Sequence, residues 1–96
     1  MRRRRPLGLV RLPAYLEDTA PGMLDPRRRA LLVSAVRALA LDPEAALDLF
    51  PVKAAEGVDW TEYVLAFPPR YAGELRFEVD HGEGLLVLKR CRFAEP

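Results

Sequence analysis

Apolar and polar residues alternate along the C-terminal third of the chain, between Glu62 and Phe93. In the middle of this stretch Leu75, Phe77 and Val79 are separated by charged residues, which is the two-residue period of a strand with one buried face. Two turn signals, Pro-Pro-Arg-Tyr-Ala-Gly and His-Gly-Glu-Gly, divide the stretch into three segments. The pattern therefore predicts a three-strand antiparallel meander.

A helical pattern precedes the meander. Asp25 can cap a helix that begins at Pro26, because proline lacks only an N–H that would be unpaired there. Apolar residues then recur at the spacing of one buried helix face, at Leu32, Val36 and Leu39. The Asp-Pro start signal recurs directly after this helix, so a second, shorter helix is predicted over Glu44–Phe50. Residues 52–59 are predicted to form a connecting loop.

The N-terminal segment begins with a run of arginines. Residues 1–6 are expected to form a disordered basic tail, because adjacent like charges repel one another and bury nothing. Leu7–Leu12 is typical of a short strand, and Pro13 opens a helical turn in which Leu16 contacts the core. Residues 7–96 are thus expected to form a single α+β domain, with helices packed on one face of a small, mostly antiparallel sheet that has a C-terminal three-strand meander.

Composition narrows the setting of this domain. The 96 residues include no Asn, Gln or Ile, and arginine outnumbers lysine thirteen to two, which suggests a heat-adapted source as one hypothesis. A single cysteine, Cys91, excludes an internal disulfide and favours a reducing, cytoplasmic location. No stretch approaches the ~20 apolar residues of a membrane span, so no membrane association is expected.

The net charge of +1 conceals opposite charges in the two parts of the chain. Residues 1–41 carry nine basic and three acidic groups, and residues 42–96 carry six basic and eleven acidic groups. The basic clusters are candidates for nonspecific binding of a nucleic-acid backbone. Their alternative role is a solvated, solubilising surface, since few aromatic residues accompany them. The clusters comprise Arg2, Arg3, Arg4, Arg5, Arg27, Arg28 and Arg29.

Few residue types suited to catalysis are present. His81 is the only histidine and lies in a turn, and Ser34 is the only serine, so neither a zinc site nor a Ser-His-Asp arrangement is expected. Glycine-rich phosphate loops and cofactor motifs are absent from the sequence, and no cofactor is predicted. Cys91 is expected to be a small buried hydrophobic residue, although neighbouring cations could make its thiol reactive.

The predicted strands also carry charge. Glu74, Glu78 and Asp80 share one face of the middle strand, where a pair of carboxylates could do acid–base work. The simpler interpretation is that these carboxylates pair across strands with Arg90 or Arg92, which would leave a charge-balanced surface.

An interaction surface is predicted near the last strand. Residues 85–88 are apolar on both faces, which suggests either a central strand or a partner on the far side. Opposite charges in one chain favour docking between copies, so a homodimer is expected. The preferred function is a cytoplasmic protein–protein interaction or assembly module with no catalytic constellation. The candidate interface residues are Trp60, Tyr63, Leu86 and Leu88.

The order of elements, a short strand, a helical pair and a meander ending in basic residues, resembles the RelE/ParE-type toxin superfamily of toxin–antitoxin systems. The segment Gly73–Val79 is similar to the Gly-x-Tyr-Arg-x-x-Tyr strand of that family, and Leu85–Arg92 resembles its final strand. The resemblance implies a toxin, either mRNA-cleaving or catalytically inactive, with RNA and an antitoxin as partners. It assigns phosphate stabilisation to Arg76 and Arg92, and a loop cation to Lys53.

This chain departs from the family pattern at three places. Leu75 stands where the family has an aromatic residue, and Cys91 stands where it has a histidine. No tyrosine follows the last strand. These departures concern activity more than architecture.

Overall fold

The computed structural model describes residues 5–46, 49–54 and 60–94, with the backbone alone at 49–54. Two α-helices are present, α1 at Pro13–Asp18 and α2 at Pro26–Leu41, together with 3-10 turns at Pro43–Ala45 and Pro69–Tyr71. The strands are β1 Gly8–Arg11, β2 Leu49–Ala54, β3 Trp60–Ala66, β4 Gly73–Asp80 and β5 Leu85–Phe93.

The strands form one mixed sheet in the order β1-β5-β4-β3-β2. The strand β1 runs parallel to β5, and all other neighbours are antiparallel. The predicted α+β fold and the meander β3-β4-β5 are therefore confirmed. β5 lies between β1 and β4, which explains why residues 85–88 are apolar on both faces.

The helix α2 packs on one face of this sheet. The side chain of Asp25 accepts a hydrogen bond of 2.8 Å from the backbone N–H of Arg28, as expected of a helix cap. The predicted stripe Leu32, Val36 and Leu39 is buried against the sheet. The rest of the buried core comprises Tyr15, Phe67, Leu75, Phe77, Val79, Leu86, Leu88 and Cys91.

The prediction of a second helix over Glu44–Phe50 is wrong. Only the 3-10 turn Pro43–Ala45 forms, and β2 begins at Leu49. A helix this short is marginal in water, whereas an edge strand gains hydrogen bonds from β3 and tolerates Pro51. The predicted loop at 52–59 is wrong as far as Ala54, which belongs to β2. Residues 55–59 and the side chain of Phe50 lie outside the described part of the chain.

The first helix is present, but a different residue faces the core. Leu16 was expected there and is 52% exposed, whereas Tyr15 is 6% exposed. The backbone N–H of Leu12 donates a 3.0 Å hydrogen bond to the carbonyl of Leu88, which fixes how the chain leaves β1. This anchor sets the rotation of α1 so that Tyr15 points toward the sheet.

The basic tail can be compared with the structure only in part. Residues 1–4 lie outside the described ranges, so the predicted disorder stays a prediction, while Arg5 and Pro6 are exposed. At Leu7 the backbone N–H donates a 2.8 Å hydrogen bond to the carbonyl of Ala40, which ties the start of the domain to the end of α2. Within the described residues, neither helix reaches the length and apolarity that crossing a bilayer requires.

Candidate anion-binding cleft

A cluster of charged side chains lies where β4 and β5 pair, on the sheet face opposite α2. The register places Glu74 beside Arg92 and Arg76 beside Arg90. Directly opposed residues in an antiparallel pair have Cβ atoms about 5 Å apart, so the four side chains form a compact group. They line a concave site of about 260 Å³, which we call the arginine cleft.

Arg90 is held by a carboxylate from α1. Its Nε and one terminal guanidinium nitrogen donate hydrogen bonds of 2.9 and 3.0 Å to the two carboxylate oxygens of Asp18. Asp18 also accepts a 3.0 Å hydrogen bond from the backbone N–H of Cys91. Burial alone would raise the pKa of Asp18, but the hydrogen bonds from Arg90 and Cys91 outweigh it and lower that pKa.

The position of α1 explains this contact. The strand β1 covers the edge of β5 only from Leu85 to Leu88, where their pairing ends. The chain then turns into α1, and Asp18 at the end of this helix takes over the exposed edge at Cys91. One carboxylate thus pairs with a sheet N–H and orients the guanidinium of Arg90.

The other two arginines of the cleft are held less tightly. Arg76 lies 3.7 Å from Glu74, and their side chains are 48% and 40% exposed, so this pair contributes ~0–1 kcal/mol to stability. Arg92 is exposed and forms no ion pair with any carboxylate in the described ranges. The cleft therefore keeps at least one guanidinium group available to an external anion.

The predicted cross-strand ion pairs of the carboxylates with Arg90 and Arg92 are wrong. Glu78 and Glu62 instead approach the ammonium group of Lys89, at 4.0 and 3.4 Å. Asp80 accepts a 2.9 Å hydrogen bond from the backbone N–H of Glu83 in the following turn. The reason is a bulge in β5: Arg76 pairs with Arg90 but Phe77 pairs with Leu88, which leaves Lys89 as an extra residue.

Lys53, which the family resemblance assigns as a cation, lies elsewhere in the sheet. Its backbone pairs with Glu62 in β3, on the strand at the opposite edge from β1. Two strand spacings, about 10 Å, separate β2 from β4. The Lys53 backbone is therefore apart from the arginine cleft, and its side chain is outside the described part.

Cys91 is buried, as predicted. Its side chain belongs to the core, and burial, assisted by the negative charge of Asp18, raises the pKa of its thiol to about 12. A thiolate is therefore disfavoured, and the alternative of a reactive cysteine has no support. His81 is exposed in the turn between β4 and β5, and the described residues hold no cluster suited to a metal ion.

The predicted interface residues divide into two groups. Leu86 and Leu88 are fully buried at 0% exposure, so their assignment to an exposed surface is wrong. They face α2 because β5 is an internal strand whose alternate side chains form the core. Tyr63 is half-buried on the same face and stacks on Phe77, with ring centroids 5.6 Å apart. Trp60 is half-buried as well.

The basic residues at the start of α2 are exposed, as is Arg5; Arg2, Arg3 and Arg4 lie outside the described ranges. Arg28 covers the ring of Phe93 at 5.3 Å from its centroid and lies 3.8 Å from Asp25. The first turn of α2 thus approaches the end of β5, close to Arg92 in sequence.

Asp18 is the site residue that sequence reasoning missed. It lies 72 positions from Arg90, and nothing in its own segment marks it as a partner. The parallel pairing of β1 with β5 would have been the necessary signal, because it brings α1 to the edge of β5. Comparison with known proteins adds no identification: no family model, curated protein or solved structure matches the chain significantly.

Proposed function

We propose that this protein binds RNA by holding a backbone phosphate in the arginine cleft. The observation that carries the proposal is the convergence of Arg76, Arg90 and Arg92 on one concave site. Guanidinium groups bind phosphate oxygens through paired N–H donors, and Arg90 is already oriented for this by Asp18. Arg92, which has no carboxylate partner among the described residues, would supply the charge that the ligand neutralises.

The composition of the cleft favours a phosphodiester over a small carboxylate. Three arginines and one glutamate, Glu74, line the site, and side chains suited to reading base edges are lacking in its lining. Contacts of this kind recognise the backbone and give little sequence preference. The family resemblance supports RNA in particular, since it assigns phosphate stabilisation to Arg76 and Arg92, two of the lining residues.

Binding is proposed here, rather than cleavage. A ribonuclease needs groups that move protons at the reacting oxygens as well as cations that stabilise charge. In the described lining, Glu74 is the only group that could transfer a proton near neutral pH. A catalytically inactive relative of the toxin superfamily accounts for this lining more simply than an active nuclease does.

The direct test is the affinity for a fluorescently labelled single-stranded RNA, measured by anisotropy at several salt concentrations. Arg76→Ala and Arg92→Ala are each expected to weaken binding about tenfold, equivalent to ~1.4 kcal/mol. Each should also reduce the salt slope by ~0.7, the value for one lost phosphate contact on a single strand. Arg37→Ala, an exposed arginine further along α2, is the matched control and should change little.

Equal effects of all three substitutions would show that binding depends on total charge, and the cleft would lose its assigned role. An assay in cells addresses the toxin relationship separately. If expression of the wild-type chain arrests growth and degrades messages, and Arg76→Ala and Arg92→Ala abolish both effects, the protein is an active nuclease. In that case the conclusion that it only binds RNA fails.

A second candidate function is self-association through the sheet face opposite α2. Val64 and Val87 are half-buried on that face, and no described helix packs over them. Lys89 and its two glutamates lie beside them and could exchange ion pairs between copies. Analytical ultracentrifugation at high concentration and low salt tests this: a dimer that Val87→Glu dissociates supports it, and a monomer rejects it.

A further inference from the structure

A second basic recess lies beyond the end of the β4–β5 pair. It has a volume of about 710 Å³ and lies between the first turns of α2 and the 3-10 turn at Pro69–Tyr71. Its charged residues are Arg27 and Arg70, and no described carboxylate lies within ion-pair distance of either. Its remaining lining consists of Ala30, Leu31, Ser34 and Tyr71, so the recess is positively charged over a partly apolar floor.

Arg70 is fixed in this recess by an aromatic ring. Its guanidinium carbon lies 5.1 Å from the centroid of Tyr71, and Tyr71 itself packs against the core. A guanidinium plane held over a ring keeps its outer face free, and unpaired RNA bases stack on such planes as they do on aromatic side chains. Arg70 can therefore present a stacking surface, while Arg27 offers N–H donors to a phosphate.

A groove connects this recess with the arginine cleft. A concave region of about 440 Å³ is lined by Ala72, Gly73, Glu74, Arg92, Phe93 and Ala94. It shares Glu74 and Arg92 with the cleft, and Ala72 follows directly on Tyr71 of the recess. On its other side Arg28 covers the ring of Phe93. A chain that leaves the cleft at Arg92 thus has a continuous surface that leads to Arg27 and Arg70.

We propose that the recess formed by Arg27, Arg70 and Tyr71 is a second nucleotide subsite, which takes one unpaired base and one phosphate of the RNA strand held in the arginine cleft. This inference rests on the proposed RNA-binding function. It assigns different roles to the three arginines at the start of α2: Arg27 contacts the ligand, and Arg28 supports Phe93. Arg29 lies in a different groove, with Val33 and Arg37, and does not contact the strand.

The test compares two double charge reversals on exposed residues. Arg27→Glu with Arg70→Glu alters the recess, and Arg29→Glu with Arg37→Glu makes the same charge change on the neighbouring groove. The probe is a labelled single-stranded RNA of about ten nucleotides, within the site sizes of small binding domains. The recess double variant is expected to bind at least tenfold more weakly than the control double variant, with a salt slope lower by ~1.4, the value for two lost contacts on a single strand.

Stacking is tested with Arg70→Lys, which keeps the charge but removes the guanidinium plane. A hairpin RNA with the same number of phosphates serves as the paired probe. We expect wild type to prefer the single strand over the hairpin, and Arg70→Lys to lose at least half of that preference. An unchanged preference in Arg70→Lys would remove base stacking from the proposal.

The outcomes separate the two proposals. If Arg92→Glu abolishes binding while the recess and control double variants bind equally, the second subsite is wrong and the cleft stands. If Arg92→Glu binds no more weakly than the control double variant, the cleft itself is wrong and the subsite falls with it. Thermal unfolding of every variant, followed by circular dichroism, is expected to match wild type, since the altered side chains lie outside the core.

Discussion

Removal of the Asp18 carboxylate should destabilise the domain, because this group pairs with a sheet N–H that nothing else is positioned to accept. Asp18 is 14% exposed on its side chain and accepts hydrogen bonds from Arg90 and from the backbone of Cys91. In Asp18→Ala the Cys91 N–H loses its partner at a partly buried edge, which costs ~1–3 kcal/mol. Arg90 is 39% exposed, so water can replace its contact and we base the magnitude on Cys91 alone.

The assay is urea or thermal unfolding at neutral pH, followed by circular dichroism. For a domain of this size the loss corresponds to roughly 4–8 °C in Tm for each kcal/mol. Glu17→Ala is the matched control, since Glu17 precedes Asp18 on the same helix, is exposed and makes no side-chain hydrogen bond to a described residue. A Tm for Asp18→Ala equal to that of Glu17→Ala would refute the reasoning.

The same contact predicts a specific pH dependence. The pKa of Asp18 is lower in the fold than its ordinary value of 3.8, so ionised Asp18 adds stability above that value. This contribution is lost as the pH falls from about 3.8 through the lower pKa of the folded state. The difference in unfolding free energy between wild type and Asp18→Asn should therefore be constant near neutrality and shrink below about pH 3.8. A difference that stays unchanged to the acid limit of folding would contradict the lowered pKa.

Two further predictions concern the residues around the cleft. Gly73→Ala should destabilise the domain by ~1–3 kcal/mol, because a Cβ there would lie 2.8 Å from the carbonyl oxygen of Arg92 and would collide with the Phe93 ring; an unfolding free energy equal to wild type would contradict this close approach. Cys91 should resist a thiol reagent at pH 8 in the folded protein and react readily in urea, because burial raises its pKa to about 12; rapid labelling of the folded protein would show that the thiol is accessible.

Local patterns predicted most of the fold because the signals for α2 and for β3, β4 and β5 lie within the elements themselves. The Asp25 cap, the stripe through Leu32 and the alternation around Phe77 each depend on neighbours a few residues away. The segment at Glu44–Phe50 failed because its helical signal is short and a strand partner elsewhere in the sequence decides its structure. β2 forms because β3 offers hydrogen bonds at the sheet edge, which no local pattern reveals.

The cleft was only partly predictable for the same physical reason. The sequence places Arg76, Arg90 and Arg92 on adjacent strands, but their partners depend on register and on α1. A bulge at Lys89 redirects Glu78 away from the arginines. Asp18 reaches Arg90 only because β1 runs parallel to β5, a pairing between distant segments. Prediction from sequence therefore identified the cations of the cleft and missed the carboxylate that orients one of them.

The central claim, that the arginine cleft holds a backbone phosphate, is tested most directly by NMR of the arginine Nε–Hε groups during titration with a short single-stranded RNA. We predict that the signals of Arg76, Arg90 and Arg92 shift in a saturable manner, while that of Arg37 stays in place. Shifts of equal size at Arg37 and Arg92, or none at Arg92 while RNA is bound, would contradict the claim.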